Sequence, residues 1–362
     1  MKRVLFLVNH DIVIYNFRRE LVQELLNQGH EVYISSPFGD RISLLEKLGA
    51  KFIETKIDRR GTNPLNDYKL LRTYKRIMKD IRPDVVLTYT IKPNIYGGIA
   101  AGSLKIPYIA NITGLGTAVE KKSLLQKITT MLYKKAFKNV NTVFFQNQEN
   151  MDYFIKQKIA LGKHELIPGS GVNLEHFKLM PYPSDEIIRF VFIGRIMKEK
   201  GIEYYLEAAR VLKKKYDNLE FHVCGFLEEN YKDIINELVS NNTIIYHGLV
   251  DDIRLILKDM HAIIHPTYYP EGISNVLLEA AAMGRPAIAT NRSGCKEVID
   301  HGITGYLFEA KNQNQLNNQV ENFINTSNEF NMIMGLKARE KIEKEFNRTT
   351  VVNQYMYKIN GL

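Results

Sequence analysis

The chain is poor in cysteine: its 362 residues include two, Cys224 and Cys295, with no CxxC spacing. That excludes a disulfide framework and fits reduced thiols in a cytoplasmic protein. Long hydrophobic runs are missing too, since no stretch approaches the ~20 apolar residues of a membrane span. The start MKRVLFLVNHDIVIYNF is basic and apolar, but Asn9, His10 and Asp11 interrupt it and no small-residue cleavage site follows. It reads as a first strand. No Asp-x-Asp occurs, and His247, His261 and His265 lack metal-ligand spacing. The sequence predicts no obligatory metal and no cofactor.

What is present is the composition of a globular protein, 45% hydrophobic and 25% charged. The length exceeds one ordinary core and implies two domains of ~150–200 residues. Net charge is +9, unevenly held: residues 1–170 carry 27 Lys and Arg against 15 Asp and Glu, the remainder 22 against 25. A basic front half faces something anionic, such as nucleic acid, a phosphorylated substrate or a membrane surface. Nucleic acid is disfavoured, because there is no zinc spacing, no aromatic-glycine recognition strand and no basic helix with a zipper.

The first half repeats one unit of apolar strand, loop and amphipathic helix. VLFLV (4–8), HEVYISS (30–36), KFIETKI (51–57), DVVLTYT (84–90), PYIANIT (107–113) and TVFFQN (142–147) are strands. Helices near 17–28, 41–48, 65–80, 95–103 and 123–138 separate them, most closed by Gly or Pro. The segment 168–188 is rich in Gly and Pro and serves as the linker. The pattern then restarts with strands at 189–195, 219–225, 243–248, 262–267, 286–290 and 305–310. Such alternation predicts two doubly wound parallel sheets, with ligands beyond the carboxyl ends of the strands. The expected division is a first domain at 1–168, a second at 169–345 and a C-terminal segment, 346–362, returning to the first. Two such lobes facing each other would form a cleft.

The stretch EGISNVLLE sets Glu271 and Glu279 eight residues apart. Glu271 falls in a loop, Ser274 or Asn275 can cap the helix that follows, and Glu279 lies inside that helix. Side chains lean toward a helix N-terminus, so both carboxylates can address one extended ligand. The N–H groups from Ile273 to Val276 and the helix dipole make an anion site that Gly272 leaves sterically open. Phosphate at the helix start and sugar hydroxyls on the carboxylates describe a nucleotide sugar. In FIGRIMKEKG, Gly194 and Arg195 follow a strand and Lys200 precedes the next helix, so both cations can neutralise a departing diphosphate without a metal.

The G-R-x4-K-G turn, EGISNVLLEA and GCKEVIDHGITGYLF resemble the retaining GT-B glycosyltransferases of family 4. The resemblance implies that Glu271 contacts the transferred sugar, Glu279 the ribose, and Arg195 with Lys200 the diphosphate. In the first lobe, Tyr15-Asn-Phe-Arg18, Arg59 with Asn63-Pro64, Lys92-Pro-Asn-Ile-Tyr-Gly97 and Gly114-Leu-Gly116 are similar to bacterial members that extend undecaprenyl-diphosphate-linked sugars. Those add an N-acetylhexosamine to lipid-linked bacillosamine, which implies a UDP-sugar donor. Where many members carry Gly-Gly after the first strand, this chain has Asn9-His10-Asp11, and no general base is assigned.

His10, Asn16, Arg18, Arg59 and Lys92 are the acceptor-side candidates, because they cluster after strands at the cleft edge. The helix KKSLLQKITTMLYKKAFKNV (121–140) interleaves Leu124, Leu125, Ile128, Met131 and Leu132 with Lys121, Lys122, Lys127, Lys134, Lys135 and Lys138. Together with 69–82 it suits an anionic membrane surface, on the inner face of the cytoplasmic membrane; the alternative is a stripe packed on its own sheet with solvated lysines. Two other functions fit the same fold: a nucleotide-sugar epimerase or hydrolase, and a non-catalytic nucleotide-sugar-binding protein.

Overall fold

The computed structural model describes residues 1–59, 61, 63–115, 124–184 and 186–362. Gly116, Lys121 and Lys122 lie outside them. The chain packs as two units: Met1–Gly171 with Pro270–Gly272 and Arg348–Leu362, and Val172–Tyr269 with Ile273–Asn347.

The first unit holds β1 (Arg3–Leu7), β2 (Glu31–Ser36), β3 (Lys51–Glu54), β4 (Val85–Tyr89), β5 (Tyr108–Ile112), β6 (Thr142–Phe145) and β7 (His164–Leu166). All pair in parallel, in the order β3-β2-β1-β4-β5-β6-β7. Side chains alternate across a strand, so Val4 and Phe6 of β1 enter one core while Leu5 and Leu7 enter the other. The first core is closed by α1 (Ile12–Phe17), α2 (Arg19–Asn27) and α3 (Ile42–Lys47). The second is closed by α4 (Pro64–Ile81), α5 (Gly98–Leu104), α6 (Leu124–Ala136) and α7 (Gln148–Lys156). The sheet grows one way from β1 to β3 and the other way from β4 onward. Its switch point lies between β1 and β4.

The second unit repeats the scheme with β8 (Ile188–Ile193), α8 (Ile202–Leu212), β9 (Leu219–Cys224), α9 (Lys232–Ser240), β10 (Ile245–Gly248), α10 (Arg254–Leu257), β11 (Ala262–His265), α11 (Asn275–Ala282), β12 (Ala287–Thr290), β13 (Gly305–Phe308), α12 (Gln313–Ile324) and α13 (Asn328–Glu345). The order β10-β9-β8-β11-β12-β13 puts its switch point between β8 and β11.

The last helix, α14 (Arg348–Asn360), belongs to the first unit. Val351, Tyr355, Met356 and Ile359 join the core beside α2. Arg348 fixes its start, donating to the carbonyls of Gly171 and Asn16 and pairing with Glu20 at 2.9 Å.

Some elements differ from expectation. β3 stops at Glu54. Residues Pro93–Gly97 form a π-helical turn that leads into α5, rather than one α-helix over 95–103. The three-residue edge strand β7 was not foreseen, being too short to show a period of two. Pro270–Gly272, expected within the second domain, packs with the first unit.

Candidate functional site

In the second unit, the loops after β8 and β11 meet at the switch point. Gly201, after the 3-10 turn Lys198–Lys200, has φ +78° and lies so close to Pro266 that an added Cβ would sit 2.1 Å from the Pro266 carbonyl oxygen. Only glycine relieves both the backbone angle and the approach. Gly201→Ala is therefore expected to cost at least about 2 kcal/mol of stability; an alanine variant with unchanged urea midpoint would contradict this packing.

That contact carries two cations to one ring. The Arg195 guanidinium lies 5.2 Å and the Lys200 ammonium 5.5 Å from the centroid of Tyr269, the second of two tyrosines after β11. Arg195 also reaches Glu228 at 3.4 Å. Lys200 is 9% exposed. Burial, then the neighbouring Arg195 charge, push its pKa down to about 7. A like-charged pair gathered at a switch point suits a polyanion: a bound diphosphate would offset both the repulsion and the desolvation.

The start of α11 stands beside these cations. Ser274 occupies the N-cap position without a capping side-chain bond. Its hydroxyl instead meets His265 Nε2 at 3.1 Å, and its N–H donates to Gly294 O at 2.9 Å. Sequence reasoning expected Ser274 or Asn275 to cap. Burial, with the Lys200 charge nearby, holds His265 down to about 3 and hence neutral. The loop after β12 thus touches the helix start, and it brings Ser293, whose buried hydroxyl has no hydrogen-bond partner. Ile273 and Ser274 are buried, Asn275 and Glu279 half-buried, and Gly194 follows β8 with its N–H on Cys224 O. Among the described residues no group of three or more His, Cys, Asp or Glu is arranged to hold a metal.

Glu271 and Gly272 belong to the first unit's packing. Asn147 Nδ2 donates to the carbonyls of Glu271 at 3.1 Å and Gly272 at 3.0 Å. An added Cβ on Gly272 would lie 2.1 Å from Gln146 Oε1 and 2.8 Å from Thr113 O, so this glycine is needed for close approach to β5 and β6. The sequence-based reason, openness toward phosphate, did not foresee that.

Of the first unit's candidates, His10 and Lys92 follow β1 and β4, the two strands of its switch point. His10 Nδ1 lies 2.6 Å from Asp11, whose buried carboxylate also accepts from Arg41 N–H. Lys92 pairs with Asp67 at 2.7 Å, and Tyr96 donates to the same carboxylate. Asn16 is exposed on α1. Arg59 is exposed after β3, an edge strand two places from β1. Arg18 lies in the interior, 3% exposed, against the rings of Tyr89 and Tyr355. There it ties α14 to β4. Sequence reasoning missed Thr90, at the end of β4, which has φ +69° and a buried hydroxyl without a partner. A β-branched residue in that backbone region is strained, a mark of functional loops, but strain has no signal in a single sequence.

Residues 178–341 match the family model of glycosyl transferases group 1, and residues 3–147 that of glycosyl transferase 4-like proteins. The chain is 27% identical over 335 residues to the N,N'-diacetylbacillosaminyl-diphospho-undecaprenol alpha-1,3-N-acetylgalactosaminyltransferase of Campylobacter jejuni, covering 88% of each. It is 24% identical to the UDP-Gal:alpha-D-GlcNAc-diphosphoundecaprenol alpha-1,3-galactosyltransferase of Escherichia coli, covering 86% of this chain and 83% of that one. The crystal structure of Anabaena HepE with UDP and glucose superposes with a TM-score of 0.82 over the whole of both chains at 16% identity, a likeness of fold. One family model falls on each parallel sheet, and the chain belongs to the GT-B glycosyltransferases of family 4.

Proposed function

We propose that this glycosyltransferase moves an N-acetylhexosamine from a UDP-linked donor onto a lipid-diphosphate-linked saccharide, during synthesis of a surface polysaccharide or glycan at the inner face of the cytoplasmic membrane. The observation that carries the donor half is the pairing of Arg195 and Lys200 on Tyr269 beside the start of α11. Two fixed cations can take up the charge that grows on a leaving diphosphate, so the reading needs no metal. The names of the Campylobacter and Escherichia relatives support the acceptor class.

Following the family pattern, Glu271 addresses the transferred sugar and Glu279 the ribose. Gly194, Gly272, Ile273, Ser274 and Asn275 complete the donor site, and His10, Asn16, Arg59 and Lys92 serve the acceptor. Arg18, being interior, supports that side through Tyr89. The anomeric configuration is retained: the bond from C1 to the diphosphate oxygen breaks, the bond from C1 to the acceptor oxygen forms on the same face, and the acceptor's proton passes to the departing phosphate. The protein's share is orientation and charge stabilisation.

Incubation of the purified enzyme with UDP-N-acetylhexosamines, with and without a lipid-diphosphate-linked saccharide, tests this reading. Transfer should require the acceptor, and Glu271→Ala should lower kcat by roughly 10²-fold or more while UDP still binds. Rapid donor turnover without acceptor would replace it with an epimerase or hydrolase, and inactivity across a broad donor and acceptor panel with a binding protein.

A further inference from the structure

α6 turns Thr129, Thr130, Tyr133 and Ala136 toward the core, packs Leu132 half-buried against it, and leaves Leu124, Leu125, Ile128 and Met131 outside. Leu124 is 74% and Met131 64% exposed, with Leu125 and Ile128 exposed between them. Leu124, Ile128 and Met131 share one helical face, which continues through Lys135, with Lys138 exposed in the turn after the helix. No acidic residue lies between Leu124 and Ala136. Of the stripe, Leu132 packs on its own sheet, the alternative that the sequence left open, whereas Leu124, Leu125, Ile128 and Met131 do not.

A second helix end extends this face. α4 and α6 cover the same side of the sheet and both pack on the Pro93–Gly97 turn. In right-handed crossovers each helix begins at the carboxyl edge of the sheet, so the N-terminal ends of α4 and α6 share that edge. There Leu65 and Tyr68 are exposed, 71% and 58%, followed by the exposed cations Lys69, Arg72, Arg76 and Lys79.

We infer that this face is a docking surface for an anionic lipid bilayer. Leu65, Tyr68, Leu124, Ile128 and Met131 enter the boundary between headgroups and acyl chains, and the lysines and arginines behind them meet lipid phosphates. A second copy of the chain is a poor occupant, since a symmetric contact would set these cations against their equivalents. The inference deepens the acceptor reading above and rests on it for the membrane's relevance. The apolar tips lie at the edge where the loops after β1 and β4 present His10 and Lys92.

Vesicle flotation of the full chain tests the surface. Phosphatidylcholine vesicles containing phosphatidylglycerol should retain at least ~10-fold more protein than phosphatidylcholine alone, and high salt should reduce the difference. The triple variant Leu124→Glu, Ile128→Glu, Met131→Glu should lose roughly 10-fold or more of that binding. Because these side chains are exposed, its circular dichroism and its kcat on a water-soluble acceptor with a shortened lipid should match the wild type. Equal retention on both vesicle types, unchanged binding by the variant, or a wild-type dimer that the variant abolishes would overturn the inference. Loss of activity on the soluble acceptor in step with vesicle binding would overturn it too. If the wild type floats and the variant does not, yet neither acceptor is glycosylated, the docking surface stands and the acceptor reading fails.

Discussion

Lys200→Met is expected to lower kcat by about 10²–10³-fold, the usual effect of removing one preorganised group that meets developing charge. Methionine keeps the length and fills the buried space against Tyr269, so the loss should appear with little change in folding. The same lysine predicts a pH dependence. Its folded pKa of about 7 lies below the unperturbed 10.5, so the charged form is the one that folding disfavours. The penalty is fully present below pH 7 and is relieved as pH rises from 7 toward 10.5. A bound diphosphate reverses the preference. Above pH 7, binding UDP must draw a proton onto Lys200, and affinity should fall by up to about tenfold per pH unit. The groups around it are Arg195, His265, Cys295 and the Tyr269 ring; the His265 imidazole is neutral and burial raises the Cys295 thiol to about 12, so neither titrates in this window. Calorimetry at pH 8 in two buffers of different ionisation enthalpy should report uptake of close to one proton by the wild type and none by Lys200→Met. Equal proton uptake by both would move the effect to another group.

The largest stability effect is expected at Arg285, whose side chain is fully buried between α11 and β12. Nε donates to Leu257 O at 3.0 Å, and Nη2 donates to Pro181 O at 2.7 Å and Lys258 O at 2.8 Å. Nη1 reaches Met180 O and Gly284 O at 3.4 Å, and the guanidinium lies over Tyr182. One planar fork thus satisfies carbonyls at the end of α10, at the end of α11 and in the segment that leads into β8. Arg285→Met should cost about 3–5 kcal/mol, because it strands those buried acceptors. Arg285→Lys should recover little, since an ammonium cannot span the same set of directions. Urea unfolding of the three proteins checks this. A loss below about 1 kcal/mol for Arg285→Met would mean that water replaces the fork.

The features most legible in the sequence were those whose placement depends on local pattern. The alternation of apolar strands with amphipathic helices specified both parallel sheets, and all six strands expected in the second half formed in place. The places of Arg195, Lys200 and Asn275 were legible because a strand end, a glycine turn and a helix start are local events. Other residues were not. Tyr269 has no pattern of its own, yet it is the ring on which both cations meet. Ser274 suits an N-cap by type, but His265 competes for its hydroxyl across nine residues of chain. Arg18 follows a recognisable motif and is nonetheless interior, because α14 returns to cover it with Tyr355.

By itself, then, the sequence determined that the chain builds two units, the parallel character of both sheets and which loops follow their strands. These follow from periodicity and turn residues, which act over a few positions. Tertiary structure alone decided which side of α6 faces water, that Pro270–Gly272 packs with the first unit, and how far burial and Arg195 depress the proton affinity of Lys200. Each of those depends on the dielectric and the neighbours that distant segments bring together, and no local pattern encodes them.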